Sequence, residues 1–162
     1  MTRNVKTKWG IHMVELHNIT ITTKKDDRTL IQNLHLTLQT GDKIAIIGEE
    51  GNGKSSLLKM IYAEQMIAEY CTYEGNVWRN ECSMGFLSQE LSDKEKMILD
   101  QCEILILDEP TRNFSPLTTP VLCRALTAFD GVIISISHDR RYLHEVATTV
   151  YELTSDGLTK IK

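Results

Sequence analysis

Lys43-Ile44-Ala45-Ile46-Ile47-Gly48-Glu49-Glu50-Gly51-Asn52-Gly53-Lys54-Ser55-Ser56-Leu57-Leu58 decides the fold. Lys43–Ile47 is a short run of branched apolar residues, the composition of a strand buried on both faces. Ser55 onward spaces its apolar residues as a helix does, and between the two lies G-x-x-x-x-G-K-S, the form of a phosphate-binding loop. The residue types explain the chemistry. Glycines at 48, 51 and 53 let successive N–H groups turn inward around phosphate oxygens, and the helix N-terminus adds partial positive charge. Lys54 is expected to reach the β- and γ-phosphates and the Ser55 hydroxyl to ligate Mg²⁺. The nucleotide-binding stretch is thus Gly48, Glu49, Glu50, Gly51, Asn52, Gly53, Lys54, Ser55 and Ser56.

Outward from the loop, two more buried strands are read at Glu103–Leu107 and Val132–Ser137. The first closes on Asp108-Glu109 and the second on His138. Asp108 is placed to hold the Mg²⁺ shell, and Glu109 to orient and deprotonate an attacking water. Gln89 ends a short strand, Ser83–Ser88, as a contact to Mg²⁺ or the lytic water, and His138 is a candidate γ-phosphate contact. Catalytic candidates are therefore Glu109, His138 and Gln89; metal candidates are Ser55, Asp108 and Gln89. Upstream, Met13–Thr22 and Leu30–Leu38 alternate as half-buried strands do.

The remaining elements follow the same signals. The helix after the loop is expected to run to about Met66 or Glu69. Cys71–Trp78 alternates around a Gly75-Asn76 turn signal, and a helix is read over Leu91–Gln101. Another helix starts between Pro116 and Pro120, with Val121, Leu122, Ala125, Leu126 and Phe129 as its apolar face. A short helix follows Arg141, then a hairpin turns at Asp156-Gly157. Strands alternating with helices around a phosphate loop predict an α/β fold, a P-loop NTPase core of mostly parallel sheet flanked by helices, with a small antiparallel β layer.

Composition sets bounds. The 162 residues are 41% hydrophobic and 25% charged with net charge −4, which suits one soluble domain and disfavours a freestanding nucleic-acid binder. Residues 1–10 read as a loose tail and 11–162 as one domain. No apolar run reaches membrane-span length. Cys71, Cys82, Cys102 and Cys123 form no C-x-x-C pair, the pattern of reduced thiols in a cytoplasmic protein rather than a zinc site or disulfide framework.

The combination of Gly48–Ser55, Gln89, Ile104–Thr111 and Ser137-His138-Asp139 resembles the nucleotide-binding domain of the ATP-binding cassette (ABC) family. Asp108–Pro116 followed by Ile134–Leu143 is most similar to soluble ABC-F proteins, twin-cassette ATPases many of which act on the ribosome. That resemblance implies ATP with Mg²⁺ as the ligand, a cytoplasmic protein, a dimer with another ABC cassette and the ribosome as a possible partner. It also exposes departures. The family inserts a helical arm, a whole helical subdomain, between the motifs at Gln89 and Asp108, and only residues 90–107 stand there. In place of the signature L-S-G-G-[EQ], which one cassette lends to the other's γ-phosphate, stands Leu91-Ser92-Asp93-Lys94-Glu95-Lys96 without glycine, either a worn remnant or unrelated sequence reaching the same letters. An aromatic residue that stacks on adenine is replaced near Thr23. These features imply an ATP-binding domain with impaired hydrolysis. The alternative is a non-catalytic module that pairs with an intact cassette or with the ribosome and uses nucleotide as a structural ligand.

Overall fold

The computed structural model describes residues 12–87 and 101–162. Its strands are β1 (His12–Thr23), β2 (Thr29–Gln39), β3 (Lys43–Ile47), β4 (Cys71–Arg79), β5 (Met84–Leu87), β6 (Ile104–Asp108), β7 (Val132–Ile136), β8 (Thr149–Thr154) and β9 (Gly157–Lys160). Among the described residues the α-helices are α1 (Lys54–Tyr62), α2 (Thr119–Ala128) and α3 (Arg140–Glu145), and a short 3-10 turn covers Glu64–Met66. The readings for the Met1–Gly10 tail, Gln89, the helix from Leu91 and the Leu91–Lys96 stretch lie outside the described residues.

Six strands form one sheet in the order β5-β6-β7-β3-β8-β9. The first five are parallel, and β9 folds back antiparallel on β8. A second sheet, β2-β1-β4, is antiparallel throughout. The continuous apolar runs are explained by burial on both faces. Ile44, Ile46, Ile104, Ile106, Ile134 and Ile136 pack with α1 and the antiparallel layer, including Leu16, Ile21, Leu34, Leu57 and Met60. The alternate residues Ala45, Leu105, Leu107 and Ile133 pack on the other face against Cys123 and Leu126 of α2 and Tyr142 of α3. Burial of each such Leu or Ile is worth about 1.5–3 kcal/mol. The two cores therefore fix the sheet, and with it the loops at the strands' carboxyl ends. This is the α/β core with an antiparallel layer that the sequence predicts.

Three local expectations are corrected. The helix after the loop stops at Tyr62, because the backbone becomes extended at Ala63 (φ −161°, ψ 129°). Arg79 supplies the partners that end it: its guanidinium donates to the carbonyls of Ile61 (2.8 Å) and Met60 (2.6 Å) and pairs with Glu64 (2.9 Å). Gly75-Asn76 makes no turn. Gly75 sits inside β4 at φ 105°, where the register against β1 shifts between His17 and Thr20. A Cβ there would lie 2.5 Å from the Asn18 carbonyl oxygen, so the glycine serves a bulge. On α2, Val121 and Ala125 are exposed, and the inward face is Thr119, Cys123 and Leu126, with Leu122 and Phe129 half-buried. The Asp156-Gly157 hairpin is present, as β8 and β9. All four cysteines are free; Cys71 and Cys123 are buried, and Cys82 and Cys102 are half-buried.

Candidate functional site

The loop between β3 and α1 is built on left-handed glycines, with φ 77° at Gly51 and 94° at Gly53. Gly53 is the residue before α1, so the loop delivers the chain directly into a helix N-terminus. Asn52 donates from Nδ2 to the Leu153 carbonyl (2.8 Å), anchoring the loop to β8. Lys54 is held by the loop itself. Its Nζ donates to the carbonyls of Gly48 (2.8 Å) and Glu49 and to Asn52 Oδ1 (3.2 Å). Burial pushes the Lys54 ammonium below its ordinary value, against the opposing pull of Glu109, Glu50, Asp108 and Glu49. A cation that is partly dehydrated and already surrounded by oxygen acceptors is suited to exchange them for phosphate oxygens.

A cavity of about 630 Å³ opens in front of this loop. Of the residues singled out in the sequence, Glu50, Gly51, Gly53, Lys54, Ser55, Ser56, Asp108, Glu109 and His138 line it. Glu49 and Asn52 line an adjoining cavity of about 460 Å³ toward β8, and Gly48 lies behind the loop against the Leu153 carbonyl. Asp108 is the buried last residue of β6. Glu109 follows at φ 52°, an uncommon angle for a residue with a side chain. It is pinned by its N–H donating to the Ile136 carbonyl (2.9 Å) and by its own carbonyl accepting from Arg112 N–H (3.1 Å). That turn brings Glu109 Oε1 to 3.5 Å from His138 Nε2. His138 precedes α3, whose N-cap is Asp139, accepting from Tyr142 N–H (2.9 Å).

Thr23, Arg28, Leu30 and Arg112 line the same cavity and were not singled out as ligands from sequence, although Thr23 was noted as the position lacking an aromatic. Arg28 sits in the β1–β2 turn. The turn is locked by Thr23 N–H donating to the Arg28 carbonyl (2.9 Å) and by Arg28 N–H donating to Thr23 Oγ1 (3.1 Å). The Arg28 Nη2 reaches the Gly51 carbonyl (3.5 Å). In the sequence this arginine belongs to a charged turn without motif. Arg112 carried one signal, its place directly after Asp108-Glu109-Pro110-Thr111.

No group of three or more His, Cys, Asp or Glu among the described residues is arranged to hold a metal ion. Ser55 and Asp108 do line one cavity and offer hard oxygen donors. That set suits Mg²⁺, which is commonly held by one or two protein oxygens together with substrate phosphates. Among the described residues no helix is long and apolar enough to cross a membrane.

Known proteins resemble this chain in sequence and in fold. The family model for ABC transporter matches residues 31–97. The ribosome protection protein VmlR of Bacillus subtilis (strain 168) is 26% identical over 206 residues, covering 94% of this chain and 36% of VmlR. ABC transporter F family member 5 of Arabidopsis thaliana is 28% identical, covering 82% of this chain and 26% of its own length. The erythromycin resistance ATP-binding protein MsrA of Staphylococcus epidermidis is 27% identical, covering 78% and 32%. The chain thus spans roughly a third or less of these relatives. The alignment to VmlR is longer than the 162 residues of this chain, so VmlR carries internal sequence that has no counterpart here. In structure the chain matches a metal-chelate type ABC transporter described in an inward-facing conformation, with TM-score 0.73 and 14% identity over 93% of this chain and 83% of that one.

Proposed function

We propose that this chain, similar to ABC-type nucleotide-binding domains and to ABC-F proteins in particular, binds ATP with Mg²⁺ and turns it over poorly by itself. One observation carries the reading: Lys54, Ser55, Asp108, Glu109 and His138, from separate elements, line a single cavity at the carboxyl ends of the parallel strands. Loop N–H groups and Lys54 take the phosphates. Ser55 and Asp108 hold the cation, which when bound neutralises charge on the β- and γ-phosphate oxygens. Glu109, with His138 beside it, is the group placed to accept a proton from water.

Weak turnover follows from what the sequence lacks. Leu91–Lys96 holds no glycine, and Asp93, bulkier and negatively charged, occupies the sequence position of the signature's first glycine. The longer alignment to VmlR supports the loss of an internal segment. The same observations favour a second reading, a nucleotide-dependent module that pairs with an intact cassette. The name of VmlR makes the ribosome the partner to try first, and a cytoplasmic location goes with it. The test is ATP·Mg²⁺ binding by the full chain with Lys54→Ala as control, then phosphate release with Glu109→Gln. Binding lost in Lys54→Ala with little release supports the proposal. Binding indifferent to Lys54→Ala overturns it, and brisk Glu109-dependent release overturns the impaired-hydrolysis part.

A further inference from the structure

We propose that Arg112 is a phosphate-binding residue supplied in cis, reading the γ-phosphate of the nucleotide held by its own chain. The inference rests on the nucleotide-binding reading above and adds a residue to it. Its basis is the cavity lining. The lysine and arginine side chains that line the cavity among the described residues are Lys54, Arg28 and Arg112. Arg28 lies on the antiparallel-layer side, with Thr23 and Leu30, and reaches toward the Gly51 carbonyl. Lys54 rises from the loop. Arg112 comes from a different part of the chain, the turn after β6 just beyond Glu109, and the 3.1 Å bond from its N–H to the Glu109 carbonyl holds that turn.

The electrostatics of that end call for such a charge. Asp108 and Glu109 place two carboxylates where the terminal phosphate arrives, and Glu50 adds a third to the lining. A cation at Asp108 offsets one of them. An arginine lining the same cavity adds positive charge against these carboxylates, and its guanidinium can present several donors to phosphate oxygens, which a lysine of similar charge does less specifically. In nucleotide hydrolases generally, an arginine aimed at the γ-phosphate stabilises its charge whether it comes in cis or in trans. Here the sequence offers no glycine-bearing signature to do so for a partner, and Arg112 provides positive charge within the same chain.

The experiment measures affinities of the full-length chain for fluorescent ATP and ADP analogues with Mg²⁺, comparing wild type, Arg112→Ala and Arg112→Lys. Thermal unfolding of each variant shows that it is folded. A γ-phosphate contact predicts that Arg112→Ala weakens ATP by about tenfold while ADP changes by less than about twofold. The salt dependence of ATP binding also falls, and Arg112→Lys restores part of the loss. Equal loss for ATP and ADP, or no loss for either, overturns the assignment and leaves the nucleotide-binding reading standing. Wild type that binds neither analogue, or binds both independently of Lys54, overturns the two together.

Discussion

Gly48→Ala tests how the phosphate loop is tied to the sheet. Gly48 has φ 148°, and a Cβ built on it lies 2.6 Å from Asn52 Nδ2 and 2.7 Å from the Leu153 carbonyl oxygen. Those two atoms are the donor and acceptor of the 2.8 Å bond that anchors the loop to β8. A methyl group therefore enters the bond itself, and the acceptor is main chain that moves only with its strand. Backbone strain at such an angle costs about 1–3 kcal/mol. The lost hydrogen bond adds about 0.5–1.5 kcal/mol. A total near 3 kcal/mol, at about 3 °C per kcal/mol for a chain of this size, lowers Tm by about 9 °C. Asn52→Ala removes the bond without the strain and is expected to cost about 1 kcal/mol. The assay is thermal unfolding followed by circular dichroism, with nucleotide binding measured on the same samples at a temperature where both are folded. Gly48→Ala is expected to lose most of its affinity because the displaced loop no longer directs its N–H groups inward. A Tm within 2 °C of wild type, or equal costs for the two variants, refutes the argument that Gly48 is required by this contact.

Three further outcomes are expected away from the loop. Arg79→Ala removes three charge-assisted bonds that close the end of α1 and is expected to cost about 2–4 kcal/mol in urea unfolding, with Arg79→Lys recovering little because it cannot span Met60, Ile61 and Glu64 together. The same ion pair has a pH signature. Burial pushes the Glu64 carboxyl up, but the Arg79 bond and charge pull it net below its ordinary 4.5. A depressed carboxylate contributes stability above its unfolded value and loses it as pH falls through the folded one. Stability is therefore expected to drop below pH 4.5 with a component that Glu64→Gln removes, which acid unfolding series of the two proteins compare. Asp139→Ala takes away the N-cap of α3 and is expected to cost about 1 kcal/mol by thermal unfolding.

The phosphate loop and the acidic pair were legible in the sequence because their chemistry is local. A strand, a glycine pattern and a helix in immediate succession leave few other structures, and Asp108-Glu109 inherits its place from the buried strand before it. What was not legible was decided across the chain. α1 ends where it does because Arg79, on another strand, satisfies its last carbonyls. Gly75-Asn76 has the residues of a turn, but pairing of β1 with β4 continues past it and sets the glycine opposite a bulge in β1. The α2 face was misjudged because Val121 is apolar yet 57% exposed, while Cys123 takes the inward position. Arg28 enters the site only through the antiparallel pairing of β1 and β2, which no motif encodes.

Topology explains how a nucleotide site can stand without a helical arm. β5 and β6 are parallel neighbours, paired from Met84 with Ile104 to Leu87 with Leu107. Parallel neighbours need a crossover of roughly a dozen residues or more. In number, residues 88–103 meet that minimum. Among the described residues, α1 and the antiparallel layer cover one face of the sheet, and α2 and α3 cover the other. Every described residue lining the cavity comes from the β1–β2 turn and the start of β2, the phosphate loop and α1, or the carboxyl ends of β6 and β7 and the turns that follow them. These described groups stand on the sheet and its turns, whereas in sequence the signature segment falls between β5 and β6. Nucleotide binding through Lys54 is therefore expected to persist where partner-dependent turnover is lost.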